Sequence, residues 1–401
     1  MMVEGNSQTD TALTLFKAPP LDSAEQAVLG RINEIKRQLA YSFQPKRWLG
    51  LLRRNTFAKA VRASNSIEGL EISPDDAVAV VEGEEPIDPK SENWFANVGY
   101  QRAMTLVLQQ AESQHFEYSI GLLNSLHFMM LDYDLTKHPG NWRSRPIFVF
   151  DSESGETVYE GPPPEAVPDL MAALIGDLQK DDQSPPTIKA AMAHLNLVMI
   201  HPYSDGNGRM GRCLQTLVLA RSGVLHPIFA SVEEYLGRNT KDYYRVLAEV
   251  GGGSWQPDRD TRPWVRLMLT AHFRQATTLL RRSEYFAELF DELEKIVSKN
   301  DLPERCIQAL ADAALGAKVR NPTYRKLADI SMRAAGRDLK RLVEAGFLNP
   351  NGRKRGRFYL ASPLLRTITS KIPRPKRVSD PFDRFNKVPV LPGFESLVLE
   401  Q

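Results

Sequence analysis

The run His201-Pro202-Tyr203-Ser204-Asp205-Gly206-Asn207-Gly208-Arg209-Met210-Gly211-Arg212 constrains this chain more than any other feature. It joins two apolar helical stretches, about 186–200 and 209–222, and fills the joint with polar groups. His201 precedes a proline and is therefore pushed out of the right-handed helical region, so the incoming helix ends there with its ring facing a cleft. Gly206 and Gly208 permit turns that aim successive backbone N–H groups inward. The positive amino end of a helix starting at Arg209 lies against the same point, which makes a nest for phosphate. Asp205 offers hard carboxylate oxygen to a Mg²⁺ that bridges phosphate oxygens. Asn207 can donate a hydrogen bond without adding charge. Arg209 and Arg212, three apart on one helical face, present fork-shaped donors to the outer phosphates. His201, an imidazole of ordinary pKa about 6.5, is the natural acceptor for the proton of an attacking hydroxyl.

The surrounding chain is that of a globular protein with two or three domains. It has 401 residues, 42% hydrophobic and 25% charged. No apolar run approaches the ~20 residues of a membrane span, and the polar start lacks the apolar stretch of a secretory signal. Cys213 and Cys306 match no zinc spacing and read as buried thiols in a reducing cytoplasm.

Helical periodicity dominates the first 300 residues, over about 23–40 (opened by a Ser23/Gln26 capping box), 56–67, 91–114, 165–181, 186–200, 209–222, 231–250 and 262–298. Gly223 is placed to cap the 209–222 helix. The exception is 144–160, where β-prone Ile147-Phe148-Val149 and Thr157-Val158-Tyr159 flank a turn at Asp151–Gly155 and predict a β-hairpin.

His201-Pro-Tyr-Ser-Asp-Gly-Asn-Gly-Arg-Met-Gly-Arg212 resembles the signature HPFxDGNGRxxR of the Fic family, which transfers AMP from ATP to protein hydroxyl groups. Tyr203 stands where the family carries Phe. The resemblance runs across roughly 20–275 and takes in Gly140-Asn141-Trp142-Arg143 ahead of the hairpin. It implies a mainly α fold: a Fic-type helical core with a small hairpin flap. It also implies His201 as general base, Asp205 as Mg²⁺ ligand, and Gly206, Asn207, Gly208, Arg209, Gly211 and Arg212 as nucleotide-binding residues. Ile147, Phe148 and Val149 fall on the flap that docks the target by strand pairing. Tyr243 and Tyr244 resemble the pair that lines the adenine pocket. His194, two turns before His201, reads as a satisfied core histidine. The implied activity is protein adenylyltransfer, with ATP as co-substrate and Mg²⁺ as cofactor, in the cytoplasm.

Ser64-Asn65-Ser66-Ile67-Glu68-Gly69 resembles the family's inhibitory motif (S/T)xxxE(G/N), here on a helix at about 56–69. Glu68 paired with Arg212 would occupy the donor that the γ-phosphate needs. The same carboxylate is expected to orient water for removal of AMP from a modified target.

The C-terminal quarter differs in charge. Residues 301–401 hold 20 Lys/Arg against 10 Asp/Glu, leaving 31 against 39 in the first 300. Helices at about 303–315, 322–330 and 332–345, then a basic turn and a returning strand, resemble a winged helix-turn-helix over 301–361. Arg333, Arg337, Lys340 and Arg341 lie on its third helix, and Arg353, Lys354 and Arg355 on its wing. The division expected is therefore 1–115 N-terminal helices, 116–275 catalytic core, 276–300 connecting helix, 301–361 winged module and 362–401 extended Pro-rich tail. Partners left open are a target protein, DNA through 322–357, and a second copy of the chain. The competing function is a DNA-binding regulator whose Fic portion senses nucleotide.

Overall fold

The computed structural model describes residues 14–42, 47–86, 91–150, 155–180, 183–223, 227–353, 356–373 and 378–383. Residues 1–13, the hairpin-turn residue Asp151, the wing residues Lys354 and Arg355, and the tail beyond 383 lie outside them. The elements open with α1 (Ser23–Ser42), α2 (Leu49–Ile67), α3 (Pro74–Glu82), α4 (Glu92–Glu112) and α5 (Ile120–Leu131). Then come β1 (Phe148–Phe150), β2 (Thr157–Glu160), α6 (Val167–Gln179), α7 (Pro186–Ile200), α8 (Asn207–Arg221), α9 (Pro227–Ala230), α10 (Glu233–Arg238), α11 (Thr240–Gly251) and β3 (Gly253–Ser254). The chain continues through α12 (Arg262–Lys299), α13 (Cys306–Ala314), α14 (Asn321–Leu327), α15 (Met332–Glu344), β4 (Leu348–Asn351), β5 (Phe358–Ala361) and α16 (Pro363–Thr369). Among the described residues no helix is long and apolar enough to cross a membrane, and both cysteines are free and buried.

The helical expectation holds for most of the chain, and the departures have local causes. The capping box of α1 is Asp22/Glu25, one residue earlier than expected: each backbone N–H is held by the other's carboxylate, at 2.8 and 2.9 Å. Helix α2 starts at Leu49, seven residues before the expected 56, because the apolar stripe of Trp48, Leu51 and Leu52 is buried. The 231–250 stretch is two helices, broken at Asn239. Residues 276–300 are no separate connector but the continuation of the 38-residue α12. Four helices are absent from the sequence reading, α3, α5, α9 and α16. Of these, α3, α5 and α16 are each opened by a serine side chain (Ser73, Ser119, Ser362) that accepts from a first-turn N–H. The tail called extended therefore begins with α16.

Two compact units interleave along the chain. One comprises residues 1–20, 102–223 and 239–268. Its centre is the packing of α7 on α8 at Gly211, where a Cβ would come within 2.6 Å of His194 Cδ2 and 2.7 Å of Val198 Cγ2. Trp264 is fully buried and donates its Nε1–H to Ala191 O at 2.8 Å. Asn196 on α7 holds the backbone of Phe16 through both ends of its amide. The unit's sheet has the order β1-β2-β3: β1 and β2 are antiparallel with a bulge at Val149/Phe150, and β3 runs parallel to β2. The expected hairpin is thus the edge of a three-stranded sheet, with β3 inside the Gly-rich stretch 251–261 that read as loop.

The other unit comprises residues 21–101, 224–238 and 269–401. Helix α2 runs through it. Gly237 of α10 lies so close that a Cβ would meet Ala63 Cβ at 3.0 Å. Glu234 of α10 is held by the fork of Arg282 at 2.6 Å on both oxygens. Burial alone would raise its pKa, but Arg282 outweighs it and holds the carboxyl at about 2. One continuous apolar core takes in Trp48 and Leu52, then Phe286, Phe290 and Leu293 of α12, and Leu310, Leu339, Leu342 and Phe347 of the C-terminal module. That module therefore shares its core with α2 and α12 instead of enclosing one of its own.

Candidate functional site

The site is the α7–α8 joint. Helix α7 ends where expected, but His201 goes beyond leaving the right-handed region: it sits at φ 51°, ψ 56°. Left-handed backbone on a non-glycine residue is strained and persists only when neighbours fix it. Here Arg143 does so. Its guanidinium donates to His201 O at 2.8 Å, Arg145 O at 2.9 Å and Pro162 O at 2.6 Å, and its own N–H donates to Pro202 O at 2.9 Å. The flap base closes against the same point. Gly161 N–H donates to Ile147 O at 3.1 Å, and a Cβ on Gly161 would meet Ile147 Cγ2 at 2.6 Å and His201 Cβ at 3.8 Å. His201 Nδ1 lies 3.2 Å from Val198 O. A carbonyl only accepts, so the proton is on Nδ1 and Nε2 carries the lone pair.

Beyond Pro202 the loop is closed by Asn207. Its Oδ1 accepts from Tyr203 N at 3.0 Å and its Nδ2 donates to Tyr203 O at 2.7 Å. The side chain thus closes the loop with one of its two Nδ2 donors, and Asn207 also offers an anion its backbone N–H. His127 of α5, which the sequence analysis did not single out, fixes the far side. Gly140 N–H donates to its Nδ1 at 2.8 Å, so Nε2 bears the proton and donates to Asp205 O at 2.9 Å. The ring stacks on Tyr203 with centroids 3.7 Å apart, and burial lowers its pKa to about 4.

Helix α8 begins at Asn207, two residues before the expected Arg209, because Gly206 at φ 79° acts as its cap. Gly208 lies within the first helical turn. No side chain caps this end, and the intrahelical ladder starts at Met210 N donating to Gly206 O at 2.9 Å. The N–H groups of Asn207, Gly208 and Arg209 thus form the positive end of the helix. Arg209 is 1% exposed, yet its Nε and Nη1 have no hydrogen-bond partner. Buried bare guanidinium donors are costly, and a phosphate supplies the missing acceptors. Arg212 is equally buried. Gly211 faces α7, so what its missing side chain serves there is helix packing.

The Asp205 carboxylate takes Gly206 N–H on Oδ1 at 2.5 Å, with Arg209 Nη2 at 3.6 Å and Lys137 Nζ 3.4 Å from Oδ2. Among the described residues no cluster of three His, Cys, Asp or Glu could hold a metal. A lone, partly exposed carboxylate beside a phosphate nest fits Mg²⁺, which takes one or two protein oxygens and completes its shell with substrate oxygens and water. Tyr243 is buried: its hydroxyl donates to His194 Nε2 at 3.0 Å, and Gln215 Oε1 accepts from His194 Nδ1 at 2.6 Å. His194 is therefore the satisfied core histidine expected, its pKa lowered by burial to about 3. Tyr244 is the solvent-facing member of the pair, 43% exposed. On the flap, Ile147 and Val149 are half-buried, Phe148 is exposed, and β1 is the edge strand of its sheet. Ser64, Glu68 and Gly69 lie in the other unit at the end of α2. Ser64 is buried, Glu68 is exposed at the C-cap, and Gly69 has φ 76°.

The sequence profile of the Fic/DOC family matches residues 118–219, which span α5, the flap, α7 and most of α8. The chain is 28% identical over 255 residues to protein adenylyltransferase Fic of Nematostella vectensis, covering 62% of this chain and 55% of that protein. It is 28% identical over 268 residues to protein adenylyltransferase fic-1 of Caenorhabditis briggsae, covering 65% and 48%. The chain thus spans about half the length of the curated relatives it matches. A solved Fic family protein from Desulfovibrio desulfuricans G20 shares the fold, with TM-score 0.54 and 22% identity over 87% of this chain and 99% of that one.

Proposed function

We propose that this protein is an ATP-dependent protein adenylyltransferase, moving AMP to a Tyr, Ser or Thr hydroxyl of a target protein or of itself. The observation that carries the reading is the buried Arg209, whose Nε and Nη1 have no hydrogen-bond partner, on an uncapped helix start that follows an imidazole whose lone pair is on Nε2. In this reading the triphosphate lies on the N–H groups of Asn207, Gly208 and Arg209, with Arg209 and Arg212 on its outer phosphates. The target segment pairs with the open edge of β1, and Tyr244 offers a face to the adenine. His201 Nε2 takes the hydroxyl proton as the oxygen bonds to the α-phosphorus. The bond to the bridging oxygen breaks, and pyrophosphate leaves with that oxygen. Mg²⁺, held by Asp205, supplies neutralisation of the leaving charge when bound.

Three finer parts belong to the same proposal. Residues 64–69 act as a brake, with Glu68 pairing with Arg212 and displacing the γ-phosphate. The exposed carboxylate at the end of α2, followed by a left-handed glycine, supports this. Glu68 also orients water for the reverse removal of AMP. The module 301–361 is a winged helix-turn-helix, supported by the order α13, α14, α15, β4, β5.

With radiolabelled ATP and Mg²⁺, Glu68→Gly is expected to raise self-labelling at least ten-fold over the parent chain, and adding His201→Ala to abolish it. Labelling that survives loss of His201 would overturn the mechanism. Labelling of the parent equal to that of Glu68→Gly would overturn the brake alone.

A further inference from the structure

Asp205 offers a metal its carboxylate oxygens, yet both already meet positive groups of the chain. Oδ1 takes Gly206 N–H at 2.5 Å and has Arg209 Nη2 at 3.6 Å, while Lys137 Nζ stands 3.4 Å from Oδ2. One carboxylate thus faces two cations before any ligand arrives. The lysine is held in place: only 24% of its side chain is exposed. Its ammonium donates to the Tyr133 hydroxyl at 3.4 Å, lies 5.3 Å from the centre of that ring and is 4.0 Å from Asp134 Oδ2.

The backbone that carries Lys137 is a single 3-10 turn, Leu135–Lys137. Asp134 opens it, its Oδ1 accepting from Thr136 N at 3.0 Å, and His138 closes it at φ 50°. Two residues further on, Gly140 N–H donates to Nδ1 of His127, the ring whose Nε2 donates to Asp205 O. One imidazole therefore fixes the lysine's segment and the carboxylate relative to each other. The pair is built by the same support that shapes the loop. Mg²⁺ binds a carboxylate oxygen at about 2.1 Å, so an ion on Oδ2 would lie no further from Nζ than the sum of the two distances, about 5.5 Å. At the dielectric of bulk water, repulsion between a divalent and a single positive charge at that range already corresponds to about a ten-fold loss of affinity. Arg209 adds to it. A triphosphate on the amino end of α8 reverses the sign of the site and gives the ammonium other oxygens to meet.

We infer that Lys137 is a countercation that closes Asp205 to free divalent metal, so that the metal enters together with the triphosphate and not ahead of it. The inference rests on the reading of Asp205 as the Mg²⁺ ligand. It adds the residue that sets when that ligand becomes available.

The test titrates Mn²⁺, which shares the oxygen ligands of Mg²⁺, into the full chain without nucleotide and reads free metal by electron paramagnetic resonance. Lys137→Met keeps the aliphatic stem, removes the charge and is expected to bind about ten-fold tighter than the parent. Lys137→Arg keeps the charge and should match the parent. Adding Asp205→Asn to Lys137→Met should remove the gain. Should Lys137→Met fail to fold, Lys137→Gln is expected to show the same gain. In a second arm, in the Glu68→Gly background, calorimetry follows binding of the preformed Mn²⁺ complex of α,β-methylene-ATP. There Lys137→Met should show no gain over its parent. Equal Mn²⁺ affinity of parent and Lys137→Met without nucleotide overturns the inference, as does a gain that survives Asp205→Asn. So does an equal gain for the preformed complex, because the lysine would then oppose the metal at every stage. If Asp205→Asn binds that complex as well as its parent does, the metal reading of Asp205 falls and the inference with it. If Asp205→Asn weakens it while Lys137→Met changes nothing in either arm, the inference alone falls.

Discussion

His127 and Arg143 hold the loop at two points four residues apart, the carbonyls of Asp205 and His201. Neither belongs to the loop's own sequence. His127 meets an N–H with one ring nitrogen and a C=O with the other, so only the neutral ring satisfies both. Removing it leaves Gly140 N–H and Asp205 O, both half-buried, without these partners and opens a cavity under Tyr203. His127→Ala is expected to cost roughly 2–4 kcal/mol in urea unfolding and to weaken ATP binding measured by calorimetry. The loop is legible in the sequence because its chemistry-bearing residues are contiguous. Its supports are not, because His127, Lys137, Arg143 and Gly161 come from segments 40 or more residues upstream and meet the loop only through the fold. Asn207 shows the complementary difficulty: an amide suited to phosphate was needed first to close the turn.

At the scale of elements, the α7–α8 pair shows a glycine whose meaning depends on packing. In an isolated helix, alanine for glycine is worth about 1 kcal/mol of stability. At Gly211 the added methyl meets two side chains at under 3 Å, one of them the β-branched Val198, so overpacking dominates. Gly211→Ala is therefore expected to lower stability by roughly 1–3 kcal/mol, read as a fall in melting temperature. A rise would mean that α7 can move aside. Long amphipathic helices were readable from periodicity, which is why α4 and α12 fall where expected. Helices α3 and α16 are short, and α5 is too uniformly apolar to show a stripe. The Ser73-Pro74 and Ser362-Pro363 pairs, serine cap followed by a proline suited to the first helical turn, are the signals that would have found two of them.

For the molecule as a whole, three buried histidines set its response to acid. Burial lowers the pKa of His127 to about 4 and of His194 to about 3, and places His272 well below its ordinary value. In the unfolded chain each titrates near about 6.5. The folded state therefore binds fewer protons between those values. Stability is fully present above about pH 6.5 and falls as pH drops through 4, on the order of 3 kcal/mol for His127 alone. Thermal melts from pH 7.5 to 4 should show a steep decline beginning near pH 6, and His127→Ala should flatten its upper part. A melting temperature constant across that range would contradict the buried neutral rings.

Helix α2 is tied near its start by the buried Arg54–Asp312 pair to α13, while its last turn runs into Glu68. The two residues are about 20 Å apart along a straight rod of fourteen steps. No glycine or proline stands between them, so a displacement of α13 would carry this stretch of α2 as one rod. The carboxylate at the far tip would then travel with the C-terminal module to which the rod is pinned.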